Sequence, residues 1–348
     1  MNLNTEPKII SMANSLDLEA ESPVDSIKNF CHERVAKFLR RGGRITNVGE
    51  LQELVCKRLN LEVKEIWNDE DLERYAAKYC AEREIGVYGA IKSQLKPDTF
   101  GMLTQLERRT PKGKVQFVAF IDCRGEKYLR RIFTLWHEIA HGLTTMDQLA
   151  LPLRRSTAEL IEKDPIEKLT DMIAADFAFY KPLFQPILNA ELKKEGRLTF
   201  RVVERVRNRF NPDASFASTL SACVKMAPLP VILLEAGPAL KKGEQRMVDN
   251  GVASESDFQS SLRVLQSWPN ELARIQLPHV PKQYRVPTES VIAKVHKTMW
   301  SAISQPGIAK ENLGNWTTSS GNRLANVPVT IEARKVGGLV IALIALAS

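Results

Sequence analysis

Apolar residues recur at helical spacing from Val24 to Leu39 and again from Val48 to Leu59, so the pattern predicts two amphipathic helices there. The stretch Arg40-Arg41-Gly42-Gly43-Arg44 separates them, and residues 1–22, without apolar period, are expected to form a flexible arm. Phe100 to Arg108 and Lys114 to Asp122 read as strands joined by the turn Thr110-Pro111-Lys112-Gly113. Between Glu126 and Leu143, Leu129, Ile132, Phe133, Leu135, Trp136, Ile139 and Ala140 return at roughly helical spacing, predicting a helix that buries one side and keeps a polar edge. Asp164-Pro165-Ile166-Glu167 then carries the signals of a helix start: an N-cap Asp, Pro at the first position and an acid completing a capping-box pattern. That helix is expected to reach about Tyr180.

The helix over 126–143 contains His137-Glu138-Ile139-Ala140-His141. Residues four apart share a helix face, so His137 and His141 can offer two imidazole nitrogens to one tetrahedral metal, with Glu138 beside them as general base. A chance HExxH on a surface helix is the bland alternative. The third ligand of such a zinc site is expected from the downstream helix, where Glu167 and Asp171 stand four apart on one face. With Glu167 employed as the cap, Asp171 is the favoured ligand, ahead of Glu167, Glu159 and Asp176. Two histidines and one carboxylate leave open the fourth position that a catalytic zinc requires.

HEIAH followed by DMIAADFAF resembles the ImmA/IrrE family of metallopeptidases, in which HExxH precedes an acid, two residues, Ala-Asn or Ala-Asp, then an aromatic and small residues. The resemblance places the third zinc ligand on Asp171, where the family usually has Glu, and Ala175 replaces its usual polar residue. These motifs cover residues 130–180, with fainter agreement in element order from about 25 to 240. The resemblance implies a cytoplasmic protease that cuts a helix-turn-helix repressor to derepress a DNA-damage, stress or antiphage operon. It also implies a GAF-like sensor domain in the tail.

The 348 residues leave room for two or three domains, and a 44% hydrophobic content can fill real cores. The polar start MNLNTEPK lacks the apolar core of a signal peptide. Val336 to Ala347 is too short to span a bilayer and is expected as a buried terminal strand, so no membrane partner is expected. Five irregularly spaced cysteines suit a reducing cytoplasm. Cys123, at the strand end before the HExxH helix, is a candidate inhibitory zinc ligand with Arg124 favouring its thiolate, or else a small packing residue. Cys31, Cys56, Cys80 and Cys223 read as packing residues, and His279 and His296 are isolated.

Thr199 to Phe210 places Phe200, Val203, Val206 and Phe210 on one face of a helix, while Arg197, Arg201, Arg205 and Arg209 form a basic stripe on another. A second helix, capped by Asp213, is expected through Met226. With a formal net charge of +8, the stripe is a candidate for single-stranded DNA binding, or else a solvated face. A helix near Val291 to Ile303, strands over Val327 to Ala333 and Leu339 to Leu346, and a turn at Lys335 to Gly338 complete the pattern.

The expected fold is therefore α+β: arm 1–22, zincin-like metallopeptidase domain 23–190, helix-turn-helix-like helical segment 191–236, linker 237–256 and GAF-like α/β sensor domain 257–348. The expected activity is that of a zinc (Zn2+) endopeptidase acting on a helix-turn-helix repressor protein. The alternative is a non-hydrolytic, DNA-associated regulator that keeps the zincin fold.

Overall fold

The computed structural model describes all residues except 1, 20, 43–44, 96–98, 110, 112–114, 145–152, 157–163, 299–305, 319–320 and 348, and gives the backbone alone at 94, 115 and 153–156. The fold is α+β, and the chain divides into two units, Met1–Leu183 and Phe184–Ser348.

The first unit runs α1 (Pro7–Ser15), α2 (Pro23–Arg40), α3 (Val48–Leu59), β1 (Leu61–Ile66), α4 (Asp69–Ala81), α5 (Ile85–Gln94), β2 (Thr99–Arg109), β3 (Val115–Asp122), α6 (Arg131–Thr144), β4 (Leu153–Ser156) and α7 (Pro165–Ala178). The start is no loose arm, because Ile9 and Ala13 give α1 an apolar face that is fully buried. The α2 and α3 helices fall on the expected segments. Asn60, left-handed at φ 52°, ends α3 and lets β1 begin at the next residue.

The four strands lie in the order β1-β3-β2-β4, with β1 parallel to β3 and the other pairs antiparallel. Successive side chains of a strand point to opposite faces. Met102, Val118 and Phe120 therefore join Tyr79, Val87 and Ile91 in a core under α4 and α5, while the face carrying Gly101 receives α6. The β2–β3 pair confirms the expected hairpin, whose turn lies mostly outside the described residues.

The second unit runs α8 (Lys181–Glu195, which enters it from the first), α9 (Phe200–Phe210), α10 (Phe216–Met226), β5 (Val231–Ala239), α11 (Lys242–Asp249), β6 (Ser261–Pro269), α12 (Glu271–Gln276), α13 (Val291–Lys297), β7 (Gly307–Asn312), β8 (Pro328–Val336) and β9 (Leu339–Leu346). Its sheet, β6-β5-β9-β8-β7, is antiparallel throughout. No linker separates 191–236 from the tail. β5 carries Gly237 and Pro238 within an interior strand of the sheet, α11 occupies 8 residues of the rest, and Glu332 of β8 accepts the Phe200 N–H at 3.0 Å at the start of α9. Pro238 is tolerated because the β9 pairing has already ended at Ala236.

The late apolar stretch is the expected strand, β9, with Val340, Ala342 and Ile344 fully buried. Gly337 at φ +60° and Gly338 close its hairpin with β8. The predicted helix from Val291 ends at Lys297, and 299–305 lie outside the described residues. Among the described residues no helix is long and apolar enough to cross a membrane.

One buried carboxylate fixes the link from sheet to α6. The predicted helix over 126–143 begins instead as a 3-10 turn, Gly125–Arg130, and becomes α-helical at Arg131. Asp122, fully buried at the end of β3, accepts from Arg124 Nε at 2.9 Å, from Arg124 Nη2 at 2.8 Å and from Lys127 Nζ at 2.6 Å. Lys127 also donates to the Thr99 carbonyl of β2 at 2.9 Å, so both strands are tied to the turn that launches the helix. Burial would raise the Asp122 carboxyl, but the Arg124 and Lys127 bonds outweigh it and hold it below its usual 3.8. Asp122→Ala is expected to destabilise the protein by about 2–3 kcal/mol, less than a fully enclosed pair because the two cations are partly solvated. The wild-type contribution is present above pH 3.8 and is lost as pH falls below it, so urea midpoints of wild type and variant should converge in acid.

Candidate metal centre

Two helices build the centre. α6 lies on β2 and β3 and packs beside α2, α3 and α7. At Gly101 of β2 a Cβ would stand 2.5 Å from Thr134 Cγ2 and 2.8 Å from Glu138 Oε1, so only glycine lets the helix sit this close. Arg34 of α2 donates to the Leu143 carbonyl at 2.6 Å, serving one of the terminal acceptors that α6 leaves open and placing a cation at its negative end. Trp136 stacks on Phe177 of α7 at 5.8 Å between ring centres, and Phe177 in turn meets His32 at 4.7 Å. This aromatic contact sets the spacing of α6 and α7.

That spacing brings His137 and His141, both 1% exposed, against Glu167. The two Nε2 atoms are 3.1 Å apart; Glu167 Oε2 is 3.0 Å from that of His137, and Glu167 Oε1 is 3.4 Å from that of His141. Donors about 2.0–2.1 Å from a tetrahedral zinc lie roughly 3.3 Å from one another. The three separations match one face of such a tetrahedron. The two rings meet edge-on, at 77°.

The sequence favoured Asp171 as third ligand, whereas in the structure Glu167 is the carboxylate that lies near both Nε2 atoms. Asp164 caps α7 alone, its Oδ1 accepting from Ile166 N at 2.9 Å, so Glu167 is not held as the reciprocal cap and turns to the histidines. Asp171, one turn on, meets the other ring nitrogen of His137, with Oδ1 2.9 Å from Nδ1. A carboxylate there fixes the tautomer that leaves Nε2 open for a metal. Asp176 pairs with Lys28 at 2.9 Å and lies 3.8 Å from His32, outside the group of His137, His141 and Glu167, and Glu159 lies outside the described residues.

The three side chains shift one another's charge. Burial pulls the His137 imidazole down, but its bonds to Asp171 and Glu167 prevail and raise it to about 9. Burial pushes His141 below its usual value, and the charge on His137 adds to this. Burial works against the Glu167 carboxylate, yet the two histidines hold it at about 2. The three groups are thus coupled through the same short contacts.

Cys123 stays outside this group. Its thiol is buried, and burial together with Glu65 pushes it up to about 12, away from a thiolate. Arg124, expected to favour the thiolate, is committed to Asp122 and Asp69. Among the described residues, the group able to hold a metal contains His137, His141 and Glu167 without Cys123.

The arginine stripe belongs to the second unit. Phe200, Val203, Val206 and Phe210 form the expected buried face of α9. Arg205 and Arg209 turn to α8, where each lies within 2.9 Å of Glu191; Lys194 joins them at 2.8 Å, and Arg205 also reaches Glu195 at 2.8 Å. Arg201 is exposed and Arg197 half-buried. The helix after the turn is capped by Ser215, whose Oγ accepts from Ser218 N at 3.1 Å, rather than by Asp213.

Comparison with protein-family models and with curated proteins gives no match for this chain. Its function is therefore inferred from the geometry of the centre.

Gly101 and Arg34 belong to the site without any motif to announce them; a glycine inside a strand was the one available sign of close backbone approach. Gly101→Ala is expected to cost about 1–3 kcal/mol by overpacking against Thr134 and Glu138. Gly89→Ala, in α5 with nothing within 4 Å of the new methyl, should instead stabilise by about 0.5–1 kcal/mol. Denaturant titrations of the two variants beside wild type check both signs.

Proposed function

We propose that this protein is a zinc-dependent endopeptidase of ImmA/IrrE type, with His137, His141 and Glu167 holding the metal and Glu138 serving as general base. The observation that carries the proposal is the set of three donors at tetrahedral-edge separations, beside a buried Glu138 on the same helix. A purely structural zinc has no use for a second acid at that position.

His137, His141 and Glu167 would hold the zinc, which would supply polarisation of the scissile carbonyl and a lowered pKa of the attacking water. Glu138 takes a proton from the attacking water and delivers it to the leaving amine nitrogen. Asp171 holds the His137 ring in its working tautomer. Burial of His137, Glu138 and His141 keeps bulk water from screening their charges.

The substrate is a helix-turn-helix repressor, whose cleavage derepresses a DNA-damage, stress or antiphage operon. The resemblance of HEIAH and DMIAADFAF to the family supports that substrate class. The second unit, an antiparallel sheet with helices packed over its core, serves as a GAF-like sensor. Single-stranded DNA is its proposed activator, met chiefly by Arg197 and Arg201, since Arg205 and Arg209 already serve Glu191.

Equilibrium dialysis against zinc should show about one metal per wild-type chain, lost in Glu167→Ala and weakened about 10–100-fold in Asp171→Ala. The reverse ranking would restore Asp171 as ligand. Glu138→Gln should keep zinc while cleavage of a candidate repressor, followed by intact mass, falls by about 10²-fold or more. Derepression that survives Glu138→Gln would point to the non-hydrolytic regulator.

A further inference from the structure

β2 is the strand whose backbone abuts Glu138, through Gly101. On one side it pairs with β3. On the other it pairs with β4, in the register Gly101↔Arg155, Met102↔Arg154 and Leu103↔Leu153, with Thr99↔Ser156 beyond a bulge. The residue directly across from Gly101 is thus Arg155.

An endopeptidase must hold its substrate extended and in register with its base, and adding the peptide to a sheet edge as one more strand does this with backbone hydrogen bonds alone. β2 lies against the general base, and the position at its edge is taken by the chain's own residues 153–156. β4 is four residues long, and among the described residues it ends the sheet, paired on the β2 side only. Short edge strands of this kind sit at the low end of local stability and open first.

We propose that the Thr99–Leu103 edge of β2 is the docking site for an extended substrate segment, and that β4 is a resident placeholder which substrate must displace. The inference rests on the protease reading above. A tethered strand competes at an effective concentration in the millimolar range, so the wild-type chain is held partly closed to peptides by its own sequence.

In an antiparallel pair alternate residues turn their N–H groups toward the partner strand. Of Arg154 and Arg155, one therefore donates toward β2 and the other points its N–H away, so proline at the two positions makes a test with its own control. The probe is a fluorescent octapeptide copying residues 151–158, LPLRRSTA, bound to the zinc-loaded full chain and read by anisotropy. One of Arg154→Pro and Arg155→Pro should bind it about tenfold or more tighter than wild type, while the other matches wild type. Equal binding by all three proteins would overturn the inference.

Should a proline variant unfold, Thr99→Cys with Ser156→Cys locks the opposed pair instead. Oxidation should then abolish octapeptide binding and reduction restore it, and unchanged binding in the crosslinked form overturns the inference. Hydrolysis of labelled casein separates the two claims. Tighter binding without hydrolysis in any zinc-loaded protein leaves docking standing and removes the protease, whereas equal hydrolysis and equal binding in all proteins leave the protease standing and remove the placeholder.

Discussion

The centre depends on how closely α6 and α7 approach each other. A carboxylate one turn into α7 reaches two imidazoles on α6 only because Trp136 lies on Phe177 and Gly101 admits α6 against the sheet. Neither Trp136 and Phe177 nor Gly101 belongs to the HExxH motif. They bring histidines and acids together out of water, an arrangement that burial alone opposes. The opposed shifts of His137, His141 and Glu167 record that tension, which a divalent cation bound to the same atoms would relieve.

The supports of the centre are divided between elements in a way that explains the local order. Asp122 and Lys127 tie β2 and β3 to the turn that launches α6, and Arg34 holds the far end of the helix. Asp171 then orients one ring from α7. The HExxH helix is thus anchored at its start, at its end and across its face. In the second unit Glu191 plays a comparable part, gathering Lys194, Arg205 and Arg209 to join α8 to α9. Arginines that read as a free stripe in the sequence are there partly a fastening.

Strongly periodic segments were legible in the chain. The extents of α3 and β9 and the burial of Phe200, Val203, Val206 and Phe210 follow from spacing and apolar count alone. Elements whose pattern is weak or interrupted were not. β1 mixes Glu62, Lys64 and Glu65 into an edge strand, and β5 passes through Gly237 and Pro238, which read as punctuation until the ends of the neighbouring pairings are known. The choice between Glu167 and Asp171 turned on a capping box that does not form. Local rules place both acids on one face, and only the tertiary approach of α6 decides which of them meets both histidines.

The central claim is that zinc is held by two histidines and one carboxylate, with no sulfur. X-ray absorption at the zinc edge of the loaded full-length protein tests it most directly. The expected shell is nitrogen and oxygen alone at about 2.0–2.1 Å, with the scattering pattern of two imidazoles. A sulfur at about 2.3 Å, which would bring Cys123 into the site, or a spectrum of loosely bound hydrated zinc would contradict it.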